Sequence, residues 1–172
     1  LIKNRSYNTI DGYRAAELNF DNVNAELLCK YDLALECIIK ANSAGALALS
    51  AEAVGIMQVC FDLTLDYLKT RKQFGKSIGA FQSIQHRMVD MMLEIEQVRS
   101  AVMLASSTFE SNSTTRDKNV SAAKNLVGRV GKLIAEESIQ LHGGIAMTWE
   151  YSVAHYAKRL ITVSYTHLTL PT

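Results

Sequence analysis

FQSIQHRMVDMMLEIEQVRSAVMLASSTF, residues 81–109, is the stretch that decides the fold. Phe81, Ile84, Met88, Met91, Ile95, Val98, Val102, Ala105 and Phe109 follow one another at alternating steps of three and four residues. A repeat of 3.5 keeps one narrow apolar seam turned toward neighbouring helices, and it predicts near-parallel crossings of about 20°. The methionines on that seam read as adaptable core rather than ligands. His86 falls beside the seam as a boundary residue. One such helix cannot bury its seam alone, so the partners must lie on either side in the chain.

On the N-terminal side a second helical pattern runs from Asp32 to about Lys69, which would span about 57 Å unbroken. Its first half is rich in small residues, Ala41, Ala44, Gly45, Ala46, Ala48, Ala51, Ala53 and Gly55, and a break is expected around 42–45. Its second half carries Val54, Met57, Phe61, Leu65 and Leu68 as an apolar stripe. Residues 1–28 read differently. Asp11-Gly12 is a hairpin-turn signal, and Arg14 to Val23 reads as a strand ending at Asp21-Asn22. A lone hairpin is marginal in water, so 1–28 is expected to be the closing edge of a larger β-domain.

On the C-terminal side 110–119 reads as a polar loop, with Thr115 or Asp117 capping a helix over about 120–141. That helix buries Val120, Ala123, Val127, Val130, Ile134 and Leu141, and Gly128 and Gly131 allow close contacts. It stops at Gly143-Gly144, and a shorter helix follows over about 149–161. The ending SYTHLTLPT, residues 164–172, breaks in composition and is expected to be a non-native tail. The fold expected is therefore mainly α: an up-down four-helix bundle over 29–163, preceded by a β-hairpin.

The bulk numbers exclude several functions. With 172 residues, 48% hydrophobic, and a net charge of +1, no global field points to nucleic acid. There is no uninterrupted apolar run of 18 residues, so no membrane span is expected. Cys29, Cys37 and Cys60 are odd in number and form no CxxC, which suits a reducing compartment. The chain opens on Leu1 rather than Met, so its start is expected upstream. Gly75-Lys76-Ser77 imitates the end of a P-loop, but Thr70 stands where the first glycine belongs and a helix precedes it. His86, His142, His155 and His167 show no spacing for a metal centre, and no nucleophile triad is readable.

Two stretches remain. Thr70 to Gln82 joins the first two helices and holds Arg71, Lys72 and Lys76, just after Lys69, with two phenylalanines and two glycines. Cations and then Gly75 suit a helix C-terminus with a left-handed cap. Gln140-Leu141-His142-Gly143-Gly144 equally suits a cap, or a bare backbone that a ligand can approach beside the Gln140 amide.

Taken together these stretches resemble the C-terminal part of the acyl-CoA dehydrogenase family. Arg71-Lys72-Gln73-Phe74-Gly75 with Phe81-Gln82 is one block, and Gln140 to Gly144 a second. Trp149-Glu150-Tyr151 running into His155-Tyr156-Ala157-Lys158-Arg159 is a third, with Val54-Gly55-Ile56-Met57 upstream. The resemblance covers about 1–163. It implies a helical domain at the core of an oligomer, with FAD at a subunit interface. Arg71 and Gln82 match positions reaching a neighbour's FAD, the arginine toward its diphosphate. Phe74 matches an aromatic packed on the cofactor, and Gln140, His142, Gly143 and Gly144 match the segment along its adenosine diphosphate.

The family implied oxidises an acyl-CoA to the trans-2-enoyl-CoA and passes electrons to electron-transfer flavoprotein. Its usual catalytic carboxylate falls beyond Val163, and the alternative base position falls at Gly45, so this polypeptide alone is expected to be inactive. The wording from Gly144 to Glu150 resembles the pimeloyl-CoA dehydrogenase small-subunit branch, which keeps a non-catalytic FAD-binding partner subunit of a heterotetramer open beside a homotetramer or homodimer. A flavin-free helical interaction domain stays open as well. A bacterial cytoplasmic setting is expected, or a mitochondrial matrix.

Overall fold

The computed structural model describes residues 2–165. Four helices dominate: α1 (Tyr31–Thr70), α2 (Gln82–Ser107), α3 (Ser113–His142) and α4 (Ser152–Tyr165). An antiparallel pair, β1 (Ile2–Asn8) and β2 (Arg14–Phe20), precedes them. A second, two-residue pair, β3 (Lys72–Gln73) and β4 (Lys76–Ser77), lies between α1 and α2.

Cross-links between helices fix the topology. At one end Lys40 pairs with Glu110 at 3.1 Å and the Ser43 hydroxyl donates to Asp117 at 2.8 Å. In the middle Arg99 donates to Gln58 at 2.8 Å, and Arg129 meets Glu94 through two bonds of 2.8 and 3.2 Å. At the other end Arg87 holds Glu137 at 2.6 Å. Residues early in α1 thus meet the end of α2 and the start of α3, which makes α2 antiparallel to both. Arg159 reaches Glu52 while the Lys124 ammonium reaches the Val163 carbonyl, so α4 runs antiparallel to α3. The bundle is up-down-up-down, as the patterns predict. α3 packs on all three other helices.

The seam of α2 is buried at Met88, Met91, Ile95, Val98, Val102 and Ala105, while Phe81 and Phe109 bracket the helix from outside. His86 is exposed rather than a boundary residue. α1 buries Ala46, Ser50, Ala53, Val54, Met57, Cys60, Thr64 and Leu68. Ser50 and Thr64 tolerate the seam because their hydroxyls donate to the carbonyls of Ala46 and Cys60, at 2.7 and 2.6 Å. The expected break at 42–45 does not occur, and α1 continues for 40 residues, about 60 Å. One 18-residue window of α1 reaches a mean hydropathy of 1.6, so by length and composition the helix is apolar enough to cross a membrane, contrary to the reading of the sequence. A third of that window is buried inside the fold, and α1 packs on α2, α3 and α4 as a core helix does.

Three boundaries differ from expectation. α3 begins at Ser113, seven residues early, because Asn112 is its cap: the side-chain oxygen accepts from the Thr115 amide at 2.9 Å. Asp117, an expected cap, is instead held by Arg116 and Ser43, whose hydrogen bonds keep its carboxyl below the usual carboxylate range. α4 begins at Ser152 and includes Ser164 and Tyr165 of the expected tail, and 166–172 lie outside the described residues. Gly131 does admit a close neighbour, Met57 Cε, at 3.4 Å from where a Cβ would stand.

The hairpin turns over Thr9 to Tyr13. The Gly12 amide donates to the Thr9 carbonyl at 2.9 Å, and Gly12 takes φ 86°, the left-handed position of a longer hairpin loop rather than of a two-residue turn. The strands are largely exposed, and the loop is what reaches the bundle.

Candidate functional site

Because α1 and α3 run the same way, their C-termini share one end of the bundle, and the two stretches picked out in the sequence share it too. α1 ends at Arg71, which leaves the helix in extended backbone (φ −70°, ψ 122°) and donates its amide to the Tyr67 carbonyl at 2.8 Å. Gly75 does not cap this helix, contrary to expectation. Phe74 and Gly75, at φ 56° and 80°, are the two central residues of a tight hairpin closing β3 on β4. Both central residues of that turn type require positive φ, which glycine accepts and phenylalanine resists.

Phe74 is therefore held in a costly backbone state while 90% exposed. Its ring meets Phe81 edge-on at 6.2 Å, and the Lys76 ammonium sits 4.2 Å from the Phe81 ring centre. Strain on an exposed aromatic points to a role outside the chain's own packing. Replacing Phe74 with glycine is expected to stabilise the fold by about 1 kcal/mol in thermal unfolding, since it removes the strain and buries nothing less. Arg71, Lys69, Lys72 and Lys76 are all exposed, and none joins an ion pair among the described residues. Gln82 opens α2 and is exposed.

At the end of α3, Gln140 is exposed while His142 is 4% exposed. Gly143 ends the helix at φ 68°, ψ −146°, a state that favours glycine, and its amide donates to the Ile139 carbonyl. Nothing stands within 4 Å of where a Cβ would lie on Gly143 or Gly144, so this backbone is bare and exposed.

The His142 ring does not share that surface. It stacks on Tyr67 at 4.6 Å and leans on Tyr151 at 5.1 Å, with the tyrosines edge-on at 6.4 Å. Nδ1 lies 2.7 Å from the Ser138 carbonyl, which can only accept, so the proton sits on Nδ1. Burial lowers the His142 pKa, offset in part by the carbonyls of Ser138 and Leu63. Burial, with the Tyr67 phenol beside it, raises that of Tyr151. Tyr67 joins the two stretches: its carbonyl receives the Arg71 amide and its ring receives His142.

Sequence reasoning missed Tyr67, and it quoted Tyr151 only inside a longer block with no role of its own. Tyr67 stands next to the seam position Leu68, one turn before the cation cluster, and that adjacency was the available signal. Buried Cys60, about two turns earlier, has its thiol pushed up to about 12 by burial, so it is inert.

With this geometry in hand, comparison with known proteins gives a direct result. The family model described as acyl-CoA dehydrogenase, C-terminal domain, matches residues 35–163. The chain belongs to the acyl-CoA dehydrogenase family. It is 36% identical over 114 residues to the acyl-CoA dehydrogenase IpdE2 of Mycolicibacterium smegmatis, a match covering 66% of this chain and 35% of that protein. The fold superposes on the glutaryl-coenzyme A dehydrogenase–glutaryl-CoA complex with a TM-score of 0.87 at 26% identity, covering 96% of this chain and 43% of the other. PigA with FAD and proline matches at a TM-score of 0.68 and 29% identity, over 73% of this chain and 33% of that one. The chain thus spans about a third to a half of the relatives it resembles. The helical bundle is the family's C-terminal domain, and the family's oxidoreductase chemistry and flavin frame the reading of its exposed end.

Proposed function

We propose that this chain supplies the bundle and one side of the FAD site in an oligomeric acyl-CoA dehydrogenase that converts an acyl-CoA to its trans-2-enoyl-CoA. The observation that carries the reading is the convergence at one bundle end of four exposed cations that join no ion pair among the described residues, a strained exposed Phe74 and the bare Gly143-Gly144 backbone. An anionic, planar ligand with a diphosphate suits that set. Arg71 offers a planar fork of donors to phosphate oxygens of FAD held by a neighbouring subunit. Phe74 would pack against the cofactor, Gln82 and Gln140 would offer amides, and Gly143 and Gly144 would let backbone donors approach. His142 serves through its place in the chain, since its ring is buried. Bound FAD would supply the acceptor for hydride from the acyl chain, and electron-transfer flavoprotein would take the electrons onward.

The base positions of the family bring no carboxylate from the described residues, because Gly45 occupies the one that falls among them. The chain by itself is accordingly proposed not to turn over. Gly45 also favours a second reading, a non-catalytic FAD-binding subunit beside a catalytic one, and purification of the intact assembly decides by showing one polypeptide or two.

The test is on the full-length protein. It is expected to purify yellow with FAD bound, and Arg71→Ala is expected to weaken FAD binding about 10- to 100-fold while leaving the helical circular dichroism unchanged. A colourless oligomer would overturn the flavin reading, and unchanged affinity in the variant would remove Arg71 from it.

A further inference from the structure

Burial usually demands that both nitrogens of a histidine find partners. His142 Nδ1 has the Ser138 carbonyl, but Nε2 is buried with no hydrogen bond, one of two such side-chain atoms among the described residues, with Ser138 Oγ. In the neutral ring Nε2 carries only a lone pair, the cheaper state to leave unmet. A proton there would create a buried donor needing an acceptor.

The groups facing this ring narrow the choice. From α1 come the Tyr67 ring and the Leu63 carbonyl, from α3 the Ser138 carbonyl, and from the segment before α4 the Tyr151 ring. None of these is a carboxylate or a cation. The carboxylate on the preceding turn of α3, Glu137, is engaged by Arg87 of α2. The Leu63 carbonyl is the backbone acceptor that faces the ring from α1. By α-helical geometry that carbonyl already receives the Tyr67 amide four residues on. Drawing it toward His142 weakens the turn that carries Tyr67, and Tyr67 both stacks on His142 and caps Arg71.

We propose that His142 is a proton-sensitive positioning residue: its neutral ring, clasped by Tyr67 and Tyr151, holds the Arg71 turn and the Gly143-Gly144 backbone in one arrangement, and protonation shifts both together. This rests on the reading of those stretches as cofactor-facing, but the clasp itself is a property of the apoprotein. The sign follows from a pKa depressed below its ordinary 6.5 by burial. The neutral, clasped form prevails above that value, and the arrangement is lost as pH falls toward and through the folded-state value.

The test is a 15N–1H NMR titration of this chain without cofactor, from pH 8 to pH 4.5. The His142 ring is expected to titrate with a midpoint below about 6.5. The amides of Arg71, Gly143 and Gly144 are expected to shift with that same midpoint. In His142→Phe, which keeps the stack, and in His142→Asn, which keeps a donor for Ser138, the shared midpoint is expected to vanish from both stretches. Amide midpoints that persist in either variant, that differ from the ring's, or that appear in one stretch only would overturn the proposal. Should neither variant fold, the wild-type comparison of ring and amide midpoints decides alone. In the full-length protein FAD is expected to bind about fivefold more weakly at pH 5.5 than at pH 7.5, at the low end of ordinary coupling between sites. Absence of FAD binding at any pH would remove the cofactor reading and leave the apoprotein titration standing.

Discussion

Arg159→Ala is expected to lower stability by about 3 kcal/mol, because it leaves a buried carboxylate without its cation. Arg159 is where the hairpin joins the bundle. Its guanidinium makes a two-pronged pair with Glu52 of α1, at 2.7 and 2.8 Å, and a third bond of 2.7 Å to Asp11 in the hairpin loop. It also sits 4.3 Å from the centre of the Tyr13 ring. The Asp11 side chain is 1% exposed and that of Arg159 is 18% exposed, so neither charge is well screened by water. Burial alone would push the Asp11 carboxyl up, but the Thr9 hydroxyl, Arg159 and a backbone bond at Tyr13 together hold it below its ordinary 3.8.

A depressed carboxyl contributes stability above its unfolded pKa and loses it as pH falls through the folded value, so the effect of the substitution is expected to fade in acid. In a domain of this size the loss corresponds to a melting temperature about 10 °C lower at neutral pH. Arg159→Lys is expected to recover part of it, since a point charge cannot reproduce the fork that meets both Glu52 oxygens. Hydrogen exchange locates the effect. The amides of Thr9 and Gly12 should lose protection first, and equal loss throughout α2 would contradict a local latch.

Arg159 also marks the limit of what the sequence discloses. The seam of α2 was legible because a 3.5-residue repeat is a local signal, and every position from Met88 to Ala105 on it is buried. The α1 stripe was legible only in part. Val54, Met57 and Leu68 are buried as expected, but Cys60 and Thr64 share the seam while Phe61 and Leu65 lie half-exposed. Thr64 reads as polar until its hydroxyl is seen to satisfy itself on its own helix. The break expected at 42–45 rested on intrinsic helix propensity. Tertiary anchors override it there, with Ser43 bonded to Asp117 and Ala46 packed in the core.

The site divides in the same way. Arg71, Phe74, Gln82 and the Gln140–Gly144 segment could be singled out by composition and order. That Tyr67 and His142 stack could not, since residues 75 apart meet only after two helix reversals. The cap reading of Gly75 failed for a local reason. Cations followed by glycine fit both a helix end and a tight hairpin, and Phe74 at positive φ is the residue propensity would have rejected for the hairpin.

Met57→Ala is expected to cost 2–5 kcal/mol, about the range for removing a fully buried methionine from a core that cannot collapse. Met57 is 0% exposed and lies where α1 faces α3, its Cε 3.4 Å from where a Cβ would stand on Gly131. Gly131 is itself buried in the interior of α3, where glycine is worth about 1 kcal/mol less than alanine. Its other neighbours at that point, the Leu160 carbonyl and Cδ2, are at 3.8 and 3.9 Å, so an added methyl meets mainly the flexible end of Met57. In the native background Gly131→Ala therefore sets a helix gain against a small repacking of one side chain, and its net effect is expected within about 1 kcal/mol of zero. In the Met57→Ala background the methyl enters the space the sulfur and its methyl vacated, and the same substitution is expected to stabilise by 1 kcal/mol or more, roughly the helix term plus a methyl's worth of burial. The two substitutions should be non-additive, as expected for side chains in contact. Denaturant unfolding of the four proteins measures this coupling. Strict additivity would mean that α1 and α3 do not meet through this pair.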